Sequence, residues 1–378
     1  MEPGEPVTEC FFFPGSKEVF MNLRGFPQPM VHPSTPAFRM AATPDKGTAL
    51  FSTRKLKAGD HILTERPLFV GARGAPTQYH ANLTREQNTQ HALNTLEQHF
   101  EVSFKRMSTE SKAAFMALAN SHKEDGSGPL VGVVRTNALA LDDLRPGVKG
   151  DIGLYSAVCK DISRLNHSCS PNTSARFDML SFSYQLFAVR DIAKSEELTY
   201  QYTPINCSAA ERNKALVPYG FVCACTACTN ASTSDPRRAA IEAFRPVVTE
   251  WVYDNALADD WLLIKCREHL ELIMLEGMEQ MPLHFDVVEA LMETCICLGD
   301  AQGASEWAAK LESFMWEDVR ADVKTLLDPA SAAYQKHPLW RARLDRGPYG
   351  LHKSFNSLAE LALKNGGALG PWGMVFPC

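Results

Sequence analysis

Hydrophobic and polar positions change period several times along this chain. Residues 1–35 are broken by Pro and Gly and read as an extended N-terminal arm without a core of its own. Residues 46–53 read as a turn entering a strand, residues 57–60 as a second turn, and residues 61–70 as a strand stopped near Pro67. From about residue 84 to 122 the period becomes helical. Ser108-Thr109-Glu110 supplies a cap, and Ala114, Phe115, Leu118 and Ala119 fall on one face. Strands are expected again over residues 130–141. Over 181–189, Phe182, Tyr184, Leu186 and Ala188 alternate with Ser183, Gln185, Phe187 and Val189, so both faces are apolar and the strand is buried. Residues 196–202 make a short strand, and Ser208-Ala209-Ala210-Glu211 reads as a capping box before a short helix.

The polar stretch 229–236 marks a boundary, with Pro236 suited to a first helical turn. Beyond it everything reads helical. Leu262, Cys266, Leu270 and Ile273 share a helical face, as do Val287, Leu291, Cys295 and Leu298, and again Ala304, Trp307, Ala308 and Leu311. Stacked pairs of such helices would make a tetratricopeptide-like array, although the strict repeat signature is missing.

Composition narrows the class. The 378 residues are 45% hydrophobic and 22% charged, which suits a globular protein of two or three domains. A net charge of -6 supplies no basic field for nucleic acid, and direct nucleic-acid binding is not expected. Glu2, Glu5 and Glu9 among prolines do not read as a secretory leader, and no apolar run suggests a membrane span. The expectation is a cytoplasmic or nuclear protein, in which the 11 cysteines are thiols or metal ligands.

Three segments carry unusual chemistry. Asn166-His167-Ser168-Cys169-Ser170-Pro171-Asn172 packs amides, an imidazole and a thiol into one heptapeptide, which an ordinary core segment would not do. Glu197-Leu198-Thr199-Tyr200-Gln201-Tyr202 follows, with Tyr200 and Tyr202 on one strand face, where either could be plain core. Then comes Tyr219-Gly220-Phe221-Val222-Cys223-Ala224-Cys225-Thr226-Ala227-Cys228. Cys223, Cys225 and Cys228 are spaced to reach one tetrahedral metal ion, the alternative being three unrelated thiols. Cys10, Cys159, Cys207, Cys266, Cys295, Cys297 and Cys378 lack partner spacing and read as incidental.

In this order the segments resemble a SET domain covering residues about 38–230 and split by a helical insert. Within that family the chain is similar to the SET-and-MYND lysine methyltransferases and their fungal SET-domain relatives. The resemblance rests on residues 46–51, Thr136-Asn137, Gly153-Leu154-Tyr155, the heptapeptide, residues 197–202 and residues 219–228. It implies an α+β fold: a SET-domain β-fold of short strands, a zinc-binding post-SET segment and an all-α C-terminal domain. The expected boundaries are 36–75 and 131–205 for the two SET parts, 76–130 for the insert, 206–230 for the post-SET segment and 236–378 for the helical domain.

The resemblance further implies S-adenosylmethionine as methyl donor and a lysine-bearing protein, such as a histone, as acceptor of a monomeric enzyme. Gly47, Ala49, Leu50, Asn137, Leu165, Asn166, His167, Tyr202 and Phe221 would hold the cofactor. Tyr202 would be the central tyrosine and Tyr219 would line a lysine channel, with Leu139 a second candidate there. Cys169 would be the fourth ligand of a structural Zn²⁺ beside Cys223, Cys225 and Cys228. Two departures stand out. No Cys/His-rich block corresponds to a MYND finger, and the Gly-x-Gly turn reads Gly47-Thr48-Ala49, which matters if that position needs φ > 0. The competing readings are a SET-fold scaffold that binds a protein partner without turnover, which Ala49 favours, and a zinc-dependent nucleic-acid binder, which the acidic charge disfavours.

Overall fold

A computed structural model describes residues 7–74, 80–141, 154–314 and 321–346, together with two short strands near the C-terminus. Gly153, Cys378, Glu2 and Glu5 lie outside the described residues. The chain divides into two compact units, one of residues 1–205 and 209–229, the other of residues 206–208 and 230–378.

The first unit begins with β1 (Glu9–Phe11), α1 (Ser16–Met21), β2 (Phe38–Thr43), β3 (Gly47–Ser52), β4 (His61–Glu65) and β5 (Phe69–Ala72). The insert follows as α2 (Arg85–Arg106), α3 (Thr109–Met116) and α4 (Pro129–Asn137). Next come β6 (Leu139–Leu141), β7 (Tyr155–Val158), β8 (Asn166–His167), β9 (Thr173–Asp178), β10 (Ser183–Ala188), β11 (Glu197–Tyr200), α5 (Ala209–Leu216) and α6 (Thr226–Thr229). These strands make three small sheets, ordered β1-β5-β7-β6, β4-β10-β9 and β2-β3-β11-β8. Short strands in several sheets enclose one core that includes Leu50, Tyr155, Leu186 and Leu198. A second cluster packs Phe100, Phe115, Leu130 and Val134 of the insert against Phe69 and Val158.

Three expectations for the first unit need correction. The N-terminal arm is built into the core. Phe12 packs edge-on to Tyr155 at 5.4 Å, Phe20 is 3% exposed, and the Tyr155 hydroxyl accepts from Phe13 N–H at 3.0 Å and bonds Ser16 Oγ at 2.7 Å. The aromatic residues supply burial that outweighs the arm's Pro and Gly content. The strand expected over 61–70 is two strands, interrupted at Arg66-Pro67-Leu68.

Residues 130–137, read as strand, form α4. Its Val-rich sequence favours a strand by propensity. However, Pro129 opens the helix, and the Glu97 carboxylate of α2 accepts from the N–H groups of Leu130 at 2.9 Å and Val131 at 2.8 Å. A distant acid thus caps the helix and answers its unpaired N–H groups.

The second unit is mainly helical: α7 (Ala231–Ala243), α8 (Val248–Tyr253), α9 (Trp261–Glu276), α10 (Pro282–Cys297), α11 (Ala301–Glu312), α12 (Ala321–Lys324) and α13 (Ala333–Lys336). A strand pair, β12 (Gly367–Leu369) and β13 (Val375–Pro377), completes it. Helices α9, α10 and α11 pack consecutively, burying Cys266, Leu291, Cys295 and Ala308 from the predicted faces. Pro236 lies inside α7 and not in its first turn. The helix survives there because buried Arg238 and Ser234 anchor it to Glu276, at 3.1 and 2.5 Å.

Candidate active site and metal centre

The site is assembled by the loop that runs from β7 into β9. Glu65, at the end of β4, receives the N–H groups of Lys160 at 2.5 Å, Asp161 at 3.0 Å and Ile162 at 3.0 Å, and so shapes the tight turn Ile162–Arg164. Beyond this turn β8 pairs parallel with β11, with Asn166 opposite Thr199 and His167 opposite Tyr200. Asn172 closes the loop: its side chain donates to Glu197 O at 2.8 Å and accepts from Thr199 N–H at 2.8 Å. Asn166 Nδ2 meets Glu197 Oε1 at 2.8 Å, and Lys46 Nζ meets Glu197 Oε2 at 2.9 Å. Glu197 therefore joins the β2–β3 turn, the loop and β11.

Burial pushes the Glu65 carboxyl up to about 7, against the backbone N–H bonds that pull it down. The folded state then keeps a proton that the unfolded chain releases from about pH 4.5. The resulting stability is present in full below that pH, is lost as pH rises to about 7 and amounts to at most about 3 kcal/mol. Urea unfolding between pH 5 and 8 should show this decline, and Glu65→Gln should flatten it while lowering stability throughout.

A cavity of about 350 Å³ lies over this assembly. Among the residues predicted for the site, Gly47, Asn137, Asn166, Tyr202, Tyr219 and Phe221 line it. Lys46, Thr48, Thr136, Ser163, Arg164 and residues 117–119 complete the wall. Ser163 and Arg164 escaped sequence reading because nothing local marks a turn that a distant glutamate shapes. Gly47 adopts φ +71°, a conformation suited to glycine at the entry to β3.

Ala49 and Leu50 are not on the cavity wall. Both are fully buried within β3, which lies between β2 and β11, so the reach of this strand into the cavity ends at Thr48. Ala49 has no positive φ, so its methyl meets no backbone objection. Leu165 and His167 are likewise buried behind the wall, and Leu139 is buried in the core.

Tyr202 is held at both ends by this loop. Its hydroxyl donates to Leu165 O at 2.7 Å, and its N–H donates to His167 Nδ1 at 3.0 Å. Its ring lies 4.9 Å from that of Tyr219 and 6.4 Å, edge-on, from that of Phe221. Gly220, at φ +76°, makes the bend that turns both neighbouring rings toward Tyr202. Tyr200, by contrast, packs on the core, since β11 ends there and the next residues leave the sheet. Burial raises the phenol pKa of Tyr202, and more mildly that of Tyr219, so both are neutral at pH 7. Asn137 donates both amide hydrogens within the protein, to Ala119 O at 2.6 Å and Val133 O at 2.7 Å. Its carbonyl oxygen is the group left for a ligand.

Behind Tyr202 the sulfurs of Cys169, Cys223, Cys225 and Cys228 lie within 4.8 Å of one another. Cys169 Sγ is 3.8 Å from Cys223 Sγ and 3.5 Å from Cys228 Sγ. A tetrahedral ion with thiolate bonds of ~2.3 Å requires sulfur separations of about 3.8 Å, so this donor set fits a metal ion. Cys225 is pulled toward the thiolate by hydrogen bonds from Cys169 and Cys223. Arg212 is fully buried, with Nη2 3.7 Å from Cys228 Sγ, where its charge offsets that of a four-thiolate centre. Asn213 Oδ1 accepts from Cys223 N–H at 2.8 Å and orients the tail. Among the described residues no second cluster of this kind occurs.

Residues 47–203 match the SET domain family. A histone-lysine N-methyltransferase of Schizosaccharomyces pombe, set5, is 29% identical over 196 residues, which are 52% of this chain and 51% of that protein. The human histone-lysine N-methyltransferase SMYD3 is 31% identical over 154 residues, 39% of this chain and 35% of that protein. The SET domain and MYND-type zinc finger protein 6 of Schizosaccharomyces pombe is 40% identical over 80 residues, 20% of this chain and 16% of that protein. The chain thus spans at most about half the length of these relatives. Residues 47–203 form a SET domain, and the chain is related to the SET-and-MYND and fungal SET-domain lysine methyltransferases.

Proposed function

We propose that the protein transfers a methyl group from S-adenosylmethionine to the side-chain amine of a lysine in a protein substrate. The observation that carries this reading is the doubly held Tyr202 in the wall of a cavity that also presents Asn137, Asn166 and Phe221. Bound S-adenosylmethionine would supply a methyl group activated by the positive sulfonium. Asn137 Oδ1 and Asn166 would meet its amino-acid end, with Lys46 and Arg164 on the same wall to balance a carboxylate. Phe221 offers a ring face to adenine or to the sulfonium.

Since the Tyr202 hydroxyl donates to Leu165 O, its oxygen is oriented to accept a hydrogen bond from an arriving amine. A neutral phenol cannot serve as the base at pH 7, and the described lining holds no carboxylate. Desolvation of an ammonium against the rings of Tyr202 and Tyr219 would lower its pKa and thereby favour the uncharged, nucleophilic amine. The proton would leave to water before the amine closes to ~3 to 3.5 Å from the methyl carbon.

The four cysteines would hold a structural Zn²⁺, since four thiolates in a tetrahedron leave no open position for chemistry. The acceptor would be a basic, lysine-bearing protein, with histones the first candidates because the relatives are named for them. The enzyme would act as a monomer in the cytoplasm or nucleus. No described helix is long and apolar enough to cross a membrane.

Calorimetry should detect S-adenosylmethionine binding, and radiolabelled transfer onto histones or a cell lysate should yield methyl-lysine by mass spectrometry. Absence of binding at millimolar cofactor overturns the reading. Ala49→Gly should leave cofactor affinity unchanged and cost about 0.5–1 kcal/mol of stability, because the residue sits inside a strand. Tighter binding in that variant, measured by calorimetry, would return weight to a weakened site.

A further inference from the structure

His167 stands between the cysteine cluster and Tyr202, and both of its ring nitrogens are engaged. Nδ1 is 3.0 Å from the Tyr202 backbone nitrogen, whose N–H can only donate, so Nδ1 carries no proton. In a neutral imidazole the proton must then sit on Nε2, which lies 3.2 Å from Cys169 Sγ. His167 is only 8% exposed and is not part of the cavity wall. Tyr202 lies two residues beyond the end of β11, and the acceptor for its N–H is a side chain instead of a neighbouring strand's carbonyl.

We propose that His167 is a positioning residue, a rigid strut through which the metal-bound Cys169 sets the position of Tyr202. The Nε2–H group donates to the metal-bound thiolate, tempering its charge in the way that outer-shell partners tune metal ligands. The opposite edge of the same ring seats the Tyr202 backbone, while Leu165 O holds the hydroxyl at the other end. Residues 165, 167 and 169 thus act as a single clamp in which the metal supplies the fixed point. This deepens the role of His167 within the proposed methyl transfer, and its tests are readable without any transfer assay.

The two nitrogens can be separated by substitution. His167→Asn places an amide oxygen near the Nδ1 position and keeps the Tyr202 bond, but lacks reach to the sulfur. His167→Gln places an amide N–H near the Nε2 position and keeps the sulfur bond, but not the Tyr202 bond. Zinc release to excess pyridylazoresorcinol, read as its coloured zinc complex, should be at least about fivefold faster in His167→Asn and within twofold of wild type in His167→Gln. Hydrogen exchange at the Tyr202 amide should be at least about tenfold faster in His167→Gln and near wild type in His167→Asn. In the zinc-loaded wild-type protein, long-range ¹⁵N–¹H correlation should show His167 neutral with the proton on Nε2. A proton on Nδ1 or a doubly protonated ring overturns the proposal. So do two variants that change zinc release and amide exchange to the same extent, or that change neither. If wild-type tautomer and exchange agree but no transfer is found, the strut stands and the methyltransferase reading fails.

Discussion

Replacing Tyr202 with Phe should lower methyl transfer by about 10²–10³-fold while leaving the affinity for S-adenosylmethionine within about threefold. The substitution removes one oxygen and keeps the ring that packs on Tyr219 and Phe221, so the cavity wall retains its shape. What disappears is the oriented acceptor for the amine, and misplacing a nucleophile costs rate far more than it costs cofactor binding. Stability should fall too. The Leu165 carbonyl loses its 2.7 Å partner, and a buried acceptor left unmet costs about 1–3 kcal/mol. Single-turnover transfer beside calorimetry separates the two effects. A variant with near wild-type turnover would move the central role to Tyr219, the neighbouring phenol on the same cavity wall. Since both phenols are pushed above their usual range, neither should produce a pH–rate inflection between pH 6 and 9. Any inflection there belongs to the substrate amine or another group.

Stripping the metal should have the other large effect. Metal analysis should find about one zinc per chain, and Cys223→Ser or exhaustive chelation should lower the melting temperature by at least about 10 °C, since structural zinc carries much of the folding energy of the segment around it. The cluster ties Cys169, in the loop that positions Tyr202, to Cys223, Cys225 and Cys228 in the tail. Tyr219 and Phe221 precede these cysteines by a few residues and line the cavity. Losing the ion therefore frees two aromatic walls at once, and cofactor affinity should drop by at least about tenfold. A folded, metal-free protein that binds S-adenosylmethionine normally would show that the cluster has no part in shaping the cavity.

Chemistry carried by residue type was legible in the chain itself. The heptapeptide at 166–172, the strand at 197–202 and the cysteine-rich tail each stood out because thiols, amides and phenols at short spacing are improbable in a plain core, and it was their order, which resembles that of a SET domain, that joined them into one constellation. Periodicity likewise announced α3, β10 and the helices α9 to α11, whose apolar faces repeat with the local period. Features set by distant partners were not legible. The Glu97 cap makes α4 a helix against the strand preference of its valines and places Asn137 at that helix's end. The Glu65 carboxylate shapes the turn that brings Ser163 and Arg164 to the cavity. Ala49 showed the opposite error, since a motif position expected to touch the cofactor is interior to a strand.

The chain alone determined which groups are available: four thiolates, two phenols, and an asparagine and a histidine side by side. Only the tertiary structure decided which of them share a wall and which work behind it. It turned Asn166 to the cavity and His167 to the sulfur, although the two are adjacent in sequence. Alternate residues of a strand point to opposite sides, and which side meets ligand or metal is settled by what packs there.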